Sequence, residues 1–195
     1  MEFSPTEISI EETRAQIACM LNEVWHSKLP DIHWSNVVRN KHYICYVFKY
    51  KEAIIGVGIW SSPVAANRLK DGDRVLELRR LALSDVCPKN TASFVISYMV
   101  KDIKKRFPEL IRLISYQDTD VHLGTIYKAS NYKLIDSIKA DFYILENGER
   151  VHPVSMWHRH KTRAWKFLQD QYPNIKKADG RQLKFIFWLN KKGSK

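Results

Sequence analysis

The sequence predicts an α/β protein built on a mixed, mostly antiparallel central sheet flanked by helices. Three observations carry that expectation. Residues 43–60 hold two runs rich in β-branched and aromatic side chains, Tyr43-Ile44-Cys45-Tyr46-Val47-Phe48 and Ala53 to Trp60, separated by the polar Lys49 to Glu52, which is the pattern of a β-hairpin. Val75 to Leu83 then reads as a strand, and it is followed by a helix over Thr91 to Arg106 and a new apolar run from Ile111, a strand–helix–strand unit. That last run changes abruptly to polar residues at Ser115-Tyr116-Gln117-Asp118, then enters a short helical segment carrying Gly124, Tyr127 and Ala129. In an open α/β sheet the crevice beyond the strand ends is where ligands bind, so this junction is the expected site.

The other elements follow in chain order. Ile10 to Val24 reads as an amphipathic helix, with Ile10, Ile17, Met20, Leu21 and Val24 near helical spacing and Glu11 and Glu12 in its first turn. It stops before Trp25-His26-Ser27-Lys28-Leu29-Pro30, where His26 and Lys28 suit either a helix C-terminus or a ligand-facing turn. Gly56 and Gly58 inside the second hairpin strand mark a bulge or a close approach of backbone. Ser61 to Asp73 is a loop. Glu77, Arg79 and Arg80 in the next strand are expected to pair with one another, because buried charges persist only when partnered. Asn90 or Thr91 caps the following helix, whose inner face is Phe94, Val95, Tyr98, Met99 and Ile103, and Pro108 ends it. Lys133 to Glu146 reads as a strand and Asn147-Gly148 as a hairpin turn. Trp157 to Gln171 reads as one basic amphipathic helix with Trp157, Ala164, Trp165 and Leu168 as its stripe, and Leu183 to Leu189 as the last strand. Residues 1–195 are expected to form one catalytic domain, with the basic helix and strand from 150 as an extension.

Composition bounds the function. A chain of 195 residues with 45% hydrophobic and 12% aromatic content can bury a full core. Its 32 Lys and Arg against 21 Asp and Glu, a net charge of +11, suit a polyanionic partner such as nucleic acid. Cys19, Cys45 and Cys87 are odd in number and lack CxxC spacing, which points to a reducing cytoplasm and away from a disulfide framework or zinc knuckle. The N-terminus lacks the pattern of a signal peptide, and the run from Ala53 to Trp60 is too short to span a bilayer. His152, His158 and His160 raise a metal site for iron or zinc, although the last two point to different sides of a helix.

The order helix, hairpin, strand, helix, strand, short helix, strand is that of the GNAT acyltransferase architecture. Residues 75–134 also resemble the Mom family of phage DNA-modification proteins. The resemblance rests on Glu77-Leu78-x-Arg80-Leu81, on Pro88-Lys89-Asn90-x-x-Ser93-Phe94, and on Ser115-Tyr116-x-Asp118 followed by Gly124-Thr125-x-Tyr127-x-Ala129. It implies an enzyme that converts the exocyclic N6 of adenine in phage DNA to a carbamoylmethyl form and so shields the DNA from restriction. Such an enzyme must flip the base or act on single strands.

Carried onto this chain, the resemblance implies a set of roles. Asp118 serves as hydrogen-bond acceptor or general base toward the amine, a contribution typically of ~10²–10⁴-fold. Tyr127 protonates the leaving group, Tyr116 stacks on the base or assists the same network, and His26 is a further catalytic candidate. Here the chain reads Trp25-His26-Ser27 where the family has a His-Tyr-Ser type motif. Ser27, Glu77, Arg80, Ser115 and Gly124 line the substrate; from the residues themselves, Lys89, Asn90 and Ser93 at a helix N-terminus suit the donor, and Arg159, Arg163 and Lys166 on the basic helix suit either DNA or a solvated face. Read without the resemblance, Asp118 is better accounted for as a turn cap and Tyr127 as a half-buried core ring.

The donor is left open by the residues. GNAT proteins ordinarily hold the pyrophosphate of acetyl-CoA on a Gln/Arg-x-x-Gly-x-Gly/Ala loop at a helix N-terminus. Here the loop is Ser84-Asp85-Val86-Cys87-Pro88-Lys89-Asn90, with no glycine, one missing amide donor at Pro88 and a repelling Asp85. Lys89 and the first amides of the next helix suit a different anionic donor, and an aminoacyl (glycyl-tRNA-like) carrier matches both the product and the charge. Two other classes stand beside this reading: an N-acyltransferase on a small-molecule or protein amine, which needs a working CoA loop, and a non-catalytic basic nucleic-acid-binding protein, which leaves Tyr116 to Asp118 without a use.

Overall fold

A computed structural model of the chain describes residues 4–25, 31–63, 74–119, 124–139 and 141–190. After a single 3-10 turn at Pro5–Glu7, capped by Ser4, come β1 (Ile8–Glu12), α1 (Ala15–Trp25), α2 (Ser35–Val38), β2 (Tyr43–Tyr50), β3 (Ala53–Ser61) and β4 (Val75–Leu83). Next are α3 (Thr91–Arg106), β5 (Arg112–Asp118), α4 (Thr125–Ala129) and β6 (Lys133–Lys139). The last part holds β7 (Tyr143–Ile144), β8 (Arg150–Val151), α5 (Pro153–His160), α6 (Trp165–Gln171), β9 (Lys176–Lys177) and β10 (Arg181–Trp188). Seven strands form one sheet in the order β1-β2-β3-β4-β5-β10-β6, and β8-β7-β9 form a small second sheet.

Short turns join β2 to β3 and so make an antiparallel pair, whereas the α3 crossover brings β5 back parallel to β4. Every other described pairing is antiparallel. On one face of the sheet Tyr46, Phe48, Trp60, Leu76, Leu113 and Phe185 pack with Val95, Ile96, Met99 and Ile103 of α3. On the other, Cys45 and Ile59 lie beneath Ala15, Ala18 and Cys19 of α1. Gly58 is where α3 comes closest: a Cβ there would stand 2.6 Å from Met99 Sδ. The register also slips by one residue between Phe48 and Lys49, opposite Gly56 and Ile54, so both uses expected for these glycines occur in the same strand.

Four expectations need correction. The helix expected from Ile10 begins at Ala15, because Ile8 to Glu12 pair with Tyr46 to Tyr50 as an edge strand. Its inner face is also different: Ala15, Ala18, Cys19 and Asn22 are buried, while Ile17, Met20 and Val24 face outward, Val24 with 70% exposure. Small residues let the helix sit close to the sheet, and that requirement outranks apolar periodicity. The strand expected over Lys133 to Glu146 ends at Lys139, and Tyr143–Ile144 belongs to the second sheet. The single helix expected over Trp157 to Gln171 is two helices, broken at Lys161, whose φ of 58° lies in the left-handed region. In α3, Tyr98 is exposed, and Ile96 and Val100 take the buried places instead. The Asn147-Gly148 turn stands as expected, with Gly148 N donating to Leu145 O at 2.9 Å.

Candidate active site

The site begins with a pairing that stops. β4 and β5 are bonded from Val75 and Arg112 as far as Leu78 and Ser115. Beyond that point β4 continues to Leu83 along β3, and β5 continues to Asp118 along β10. The strands therefore part, leaving a crevice between residues 79–83 and 116–118. A bulge sits at its edge: Trp60 pairs with Leu78 and Ile59 with Arg80, so Arg79 is the extra residue. Bulges re-aim side chains and gather beside active sites.

The β4 wall is charged. Glu77 is buried, and its Oε1 lies 3.8 Å from Arg79 Nε, which meets the expectation that these charges pair. Arg79 Nη1 donates to Ser61 Oγ at 3.2 Å, and Arg80 Nη1 donates to the carbonyl of Arg79 at 2.7 Å. Burial, with the neighbouring Arg79 charge second, pushes Arg80 down to about 10, against the support of Glu77 and Asp31.

The β5 wall divides by alternation, with Ser115 and Gln117 on one face and Tyr116 and Asp118 on the other. The polar residues do not end the strand, as the change in sequence suggested; they carry it on, paired to Gln182–Phe185 of β10. On the first face α4 brings Tyr127 down onto Phe185, with ring centres 5.0 Å apart. Burial raises the Tyr127 phenol above its ordinary value; the neighbouring Ser115 opposes that and the Glu77 charge adds to it. Glu77, opposite Ile114, lies on the other face from Ser115 and Tyr127 and acts on the phenol only through its charge. Gly124 enters α4 with φ +66°, and a Cβ there would fall 1.6 Å from Gln117 Oε1, so Gln117 holds the helix entrance where only glycine fits.

On the other face Asp118, 9% exposed, forms an ion pair with Arg150 of β8, whose Nη2 donates to Asp118 Oδ2. The guanidinium also lies over the Phe142 ring at 5.3 Å. Tyr116 is half-buried, opposite Lys184 of β10. Arg150 and Gln117 were not singled out in the sequence. Nothing local marks Arg150, which reaches the site only because the second sheet folds back 32 residues later. Gln117 lies within the motif but at a position where the resemblance places no residue type.

Lys89, Asn90 and Ser93 gather at the start of α3. Asn90 takes φ 69°, the left-handed conformation that favours glycine, and caps by position alone, since its side chain makes no capping bond. Thr91 Oγ1 and Ser93 Oγ donate instead to the Pro88 and Asn90 carbonyls at 2.8 and 3.0 Å. No acid stands in the first turn of α3. The loop therefore suits an anion through Lys89 and the first-turn amides. It does not reproduce the glycine-rich cradle for the pyrophosphate of CoA.

Of the expected DNA contacts, Arg159 is ion-paired with Glu149 at 2.8 Å, while Arg163 and Lys166 are exposed beyond the kink. Trp157, expected in the apolar stripe, is 48% exposed on α5. His152 Nδ1 accepts from Val154 N at 3.1 Å as the cap of α5, and His160 Nε2 bonds the Tyr172 hydroxyl at 2.7 Å. Among the described residues no group of three or more His, Cys, Asp or Glu is placed to hold a metal ion. His26 and Ser27 lie outside the described residues. No helix among the described residues is long and apolar enough to cross a membrane.

Comparison with known proteins gives three results. The model of the Mom protein family matches residues 12–195. A protein of Escherichia phage Mu, methylcarbamoylase mom, is 32% identical over 132 residues, 64% of this chain and 54% of that protein. The chain thus spans about half the length of the curated relative it matches. Among solved structures, the spermidine N-acetyltransferase of Vibrio cholerae in complex with CoA and spermine superposes with a TM-score of 0.58 at 8% identity, covering 94% of this chain and 96% of that one. The IAA acetyltransferase of Bacillus cereus gives 0.57 at 12% identity, with 93% and 99% covered. The ribosomal-protein-S18-alanine N-acetyltransferase of Escherichia coli gives 0.55 at 7% identity, with 94% of each covered. Likeness at such low identity speaks to the fold alone, and the fold is that of the GNAT acetyltransferases.

Proposed function

This chain belongs to the Mom protein family, and from that premise we propose that it is a transferase that modifies the N6 amine of adenine in DNA to a carbamoylmethyl-type group, acting in the host cytoplasm to protect the DNA from restriction. The observation that carries the reading is the crevice where β4 and β5 part. Asp118 and Tyr127 lie beside it on opposite faces of β5, one a carboxylate and the other a buried phenol, which supports the reading.

The N6 lone pair is shared with the purine ring, so attack requires orientation and loss of a proton as the new bond forms. In this reading the new bond joins N6 to the methylene carbon of a glycine-derived donor as the bond from that carbon to its leaving group breaks, since attack at a glycyl ester carbonyl would give the isomeric N6-glycyl base. Asp118 takes the N6 proton, and Tyr127 gives one to the departing group. A phenol raised by burial stays protonated at neutral pH, as an acid must. Tyr116 stacks on the extruded base, and Arg80 with Glu77 lines the acceptor side. Arg163 and Lys166, with the +11 charge behind them, engage phosphates and make binding salt-dependent. Lys89, with Asn90 and Ser93 beside it, holds the anionic part of that donor.

The test is to express the chain in cells, digest the DNA and measure modified deoxyadenosine by mass spectrometry, with Asp118→Ala and Tyr127→Phe alongside. The wild type should yield the modified base, and both variants should lose it by ~10²-fold or more. Unmodified DNA beside well-expressed protein sinks the reading. Tight binding of acetyl-CoA at the Lys89 loop by the purified chain would replace the donor assignment with a CoA thioester.

A further inference from the structure

We propose that Arg150 is a positioning residue for this reaction, fixing the Asp118 carboxylate and so making the segment between β6 and β10 part of the active site. The inference rests on the role given to Asp118 above.

Asp118 is the last residue of β5, and beyond it the main sheet offers no further pairing with β4 to steady its side chain. The bond from Arg150 Nη2 steadies it. The guanidinium is itself held. Its plane lies over Phe142, and its backbone is fixed in the small sheet, where Arg150 pairs with Ile144 and Val151 with Tyr143. Val151 is buried in a cluster with Tyr143, Leu145, Met156, Leu168 and Ile175, so β8 is rigid where it presents Arg150. A planar fork seated this way sets the direction of a bound carboxylate, which an ammonium on a flexible stem does not.

Stability is a poor account of the pair. Burying two ions costs about as much as their attraction returns, and apolar replacements of such pairs are often tolerated. Orientation, by contrast, governs rate steeply, since misplacement of a catalytic group by ~1 Å costs on the order of 10²-fold. The pair also adjoins the outer surface. Glu149, the neighbour of Arg150, holds Arg159 of α5, and His152, two residues on, caps that helix. Arg150 therefore stands between the basic helix and the reacting face of β5.

The experiment compares Arg150→Lys, Arg150→Met, Asp118→Asn and the Asp118→Asn/Arg150→Met double variant in the adenine-modification assay, with DNA affinity and thermal melting measured on each protein. Arg150→Lys should melt near the wild type and bind DNA within ~2-fold while kcat falls ~10-fold; Arg150→Met should lose ~10²-fold in kcat. The double variant should be no slower than Asp118→Asn alone, because a residue that acts through Asp118 has nothing left to position. Should Arg150→Met fail to fold, the kcat of Arg150→Lys decides, and the double variant, which leaves no lone buried charge, checks it. Wild-type kcat in Arg150→Lys and Arg150→Met, losses that multiply in the double variant, or an effect on DNA affinity alone each overturn the inference while leaving the proposed function intact. Full activity of Asp118→Asn overturns the role of Asp118 together with the inference, and wild-type protein that leaves DNA unmodified overturns the proposed function and, with it, this one.

Discussion

Burial pushes the Cys45 thiol from its ordinary 9.0 up to about 12, with Cys19 and Glu12 adding to the effect. A thiolate is the reactive form, so in the folded protein Cys45 should resist a thiol reagent at pH 8.5 and react only on unfolding. The same shift is a statement about stability. Below pH 9 both states keep the proton and nothing is lost. From 9 towards 12 the unfolded chain releases its proton first, so folding stability declines as pH rises through that window. Urea midpoints at pH 8 and pH 10.5 should therefore drop less in Cys45→Ala than in the wild type, and an identical drop would put the thiol's effect at zero. Legibility at this scale was uneven. Asp118, Ser115, Tyr127 and Glu77 stood out as polar or aromatic residues in a motif, and the fold distributes them over β5, α4 and β4 on both faces of the sheet. Arg150 could not be read, because its significance is entirely a contact made by a distant hairpin, one of many arginines in a basic chain.

Lys161 is where an element was misjudged, and the reason is instructive. Trp157, Ala164, Trp165 and Leu168 have helical spacing, so one continuous helix looked sound. Yet Met156 and Leu168 both fill the small core with Val151 and Ile175, and a straight helix cannot bury both there while leaving Trp157 exposed. The chain turns at Lys161 in the left-handed conformation, which costs an L-residue with a Cβ what glycine avoids. Lys161→Gly should therefore stabilise the protein by about 0.5–1 kcal/mol, read as a higher urea midpoint with an unchanged slope. A lower midpoint would mean that the lysine side chain holds the kink. The helix α1 failed for a related reason: small side chains at Ala15, Ala18 and Cys19 set its approach to the sheet, and size at the contact is invisible to an apolar count. β2, β3, β4 and α3 lay where expected because several signals agree in each: β-branched content, polar punctuation and a proline stop.

At the scale of the molecule, the order of elements was enough to name the architecture, and both the family match over residues 12–195 and the GNAT structures agree with it. What order could not convey was the insertion of β10 between β5 and β6, which depends on non-local pairing, or the second sheet that carries Arg150. The parallel contact between β4 and β5, only four residue pairs long, divides the large sheet into two antiparallel halves, β1 to β4 and β5 with β10 and β6. Seen in time, that contact is a seam. Bonds there should open at a lower free energy than those between β2 and β3, which pair along eight positions. Native-state hydrogen exchange should show the protected amides of residues 75–78 and 112–115 exchanging through small openings while those of 44–48 wait for global unfolding, and equal protection across the sheet would refute this. The place where the protein makes room for chemistry is then also where its fold breathes first, and a bound nucleotide should be felt there as slowed exchange.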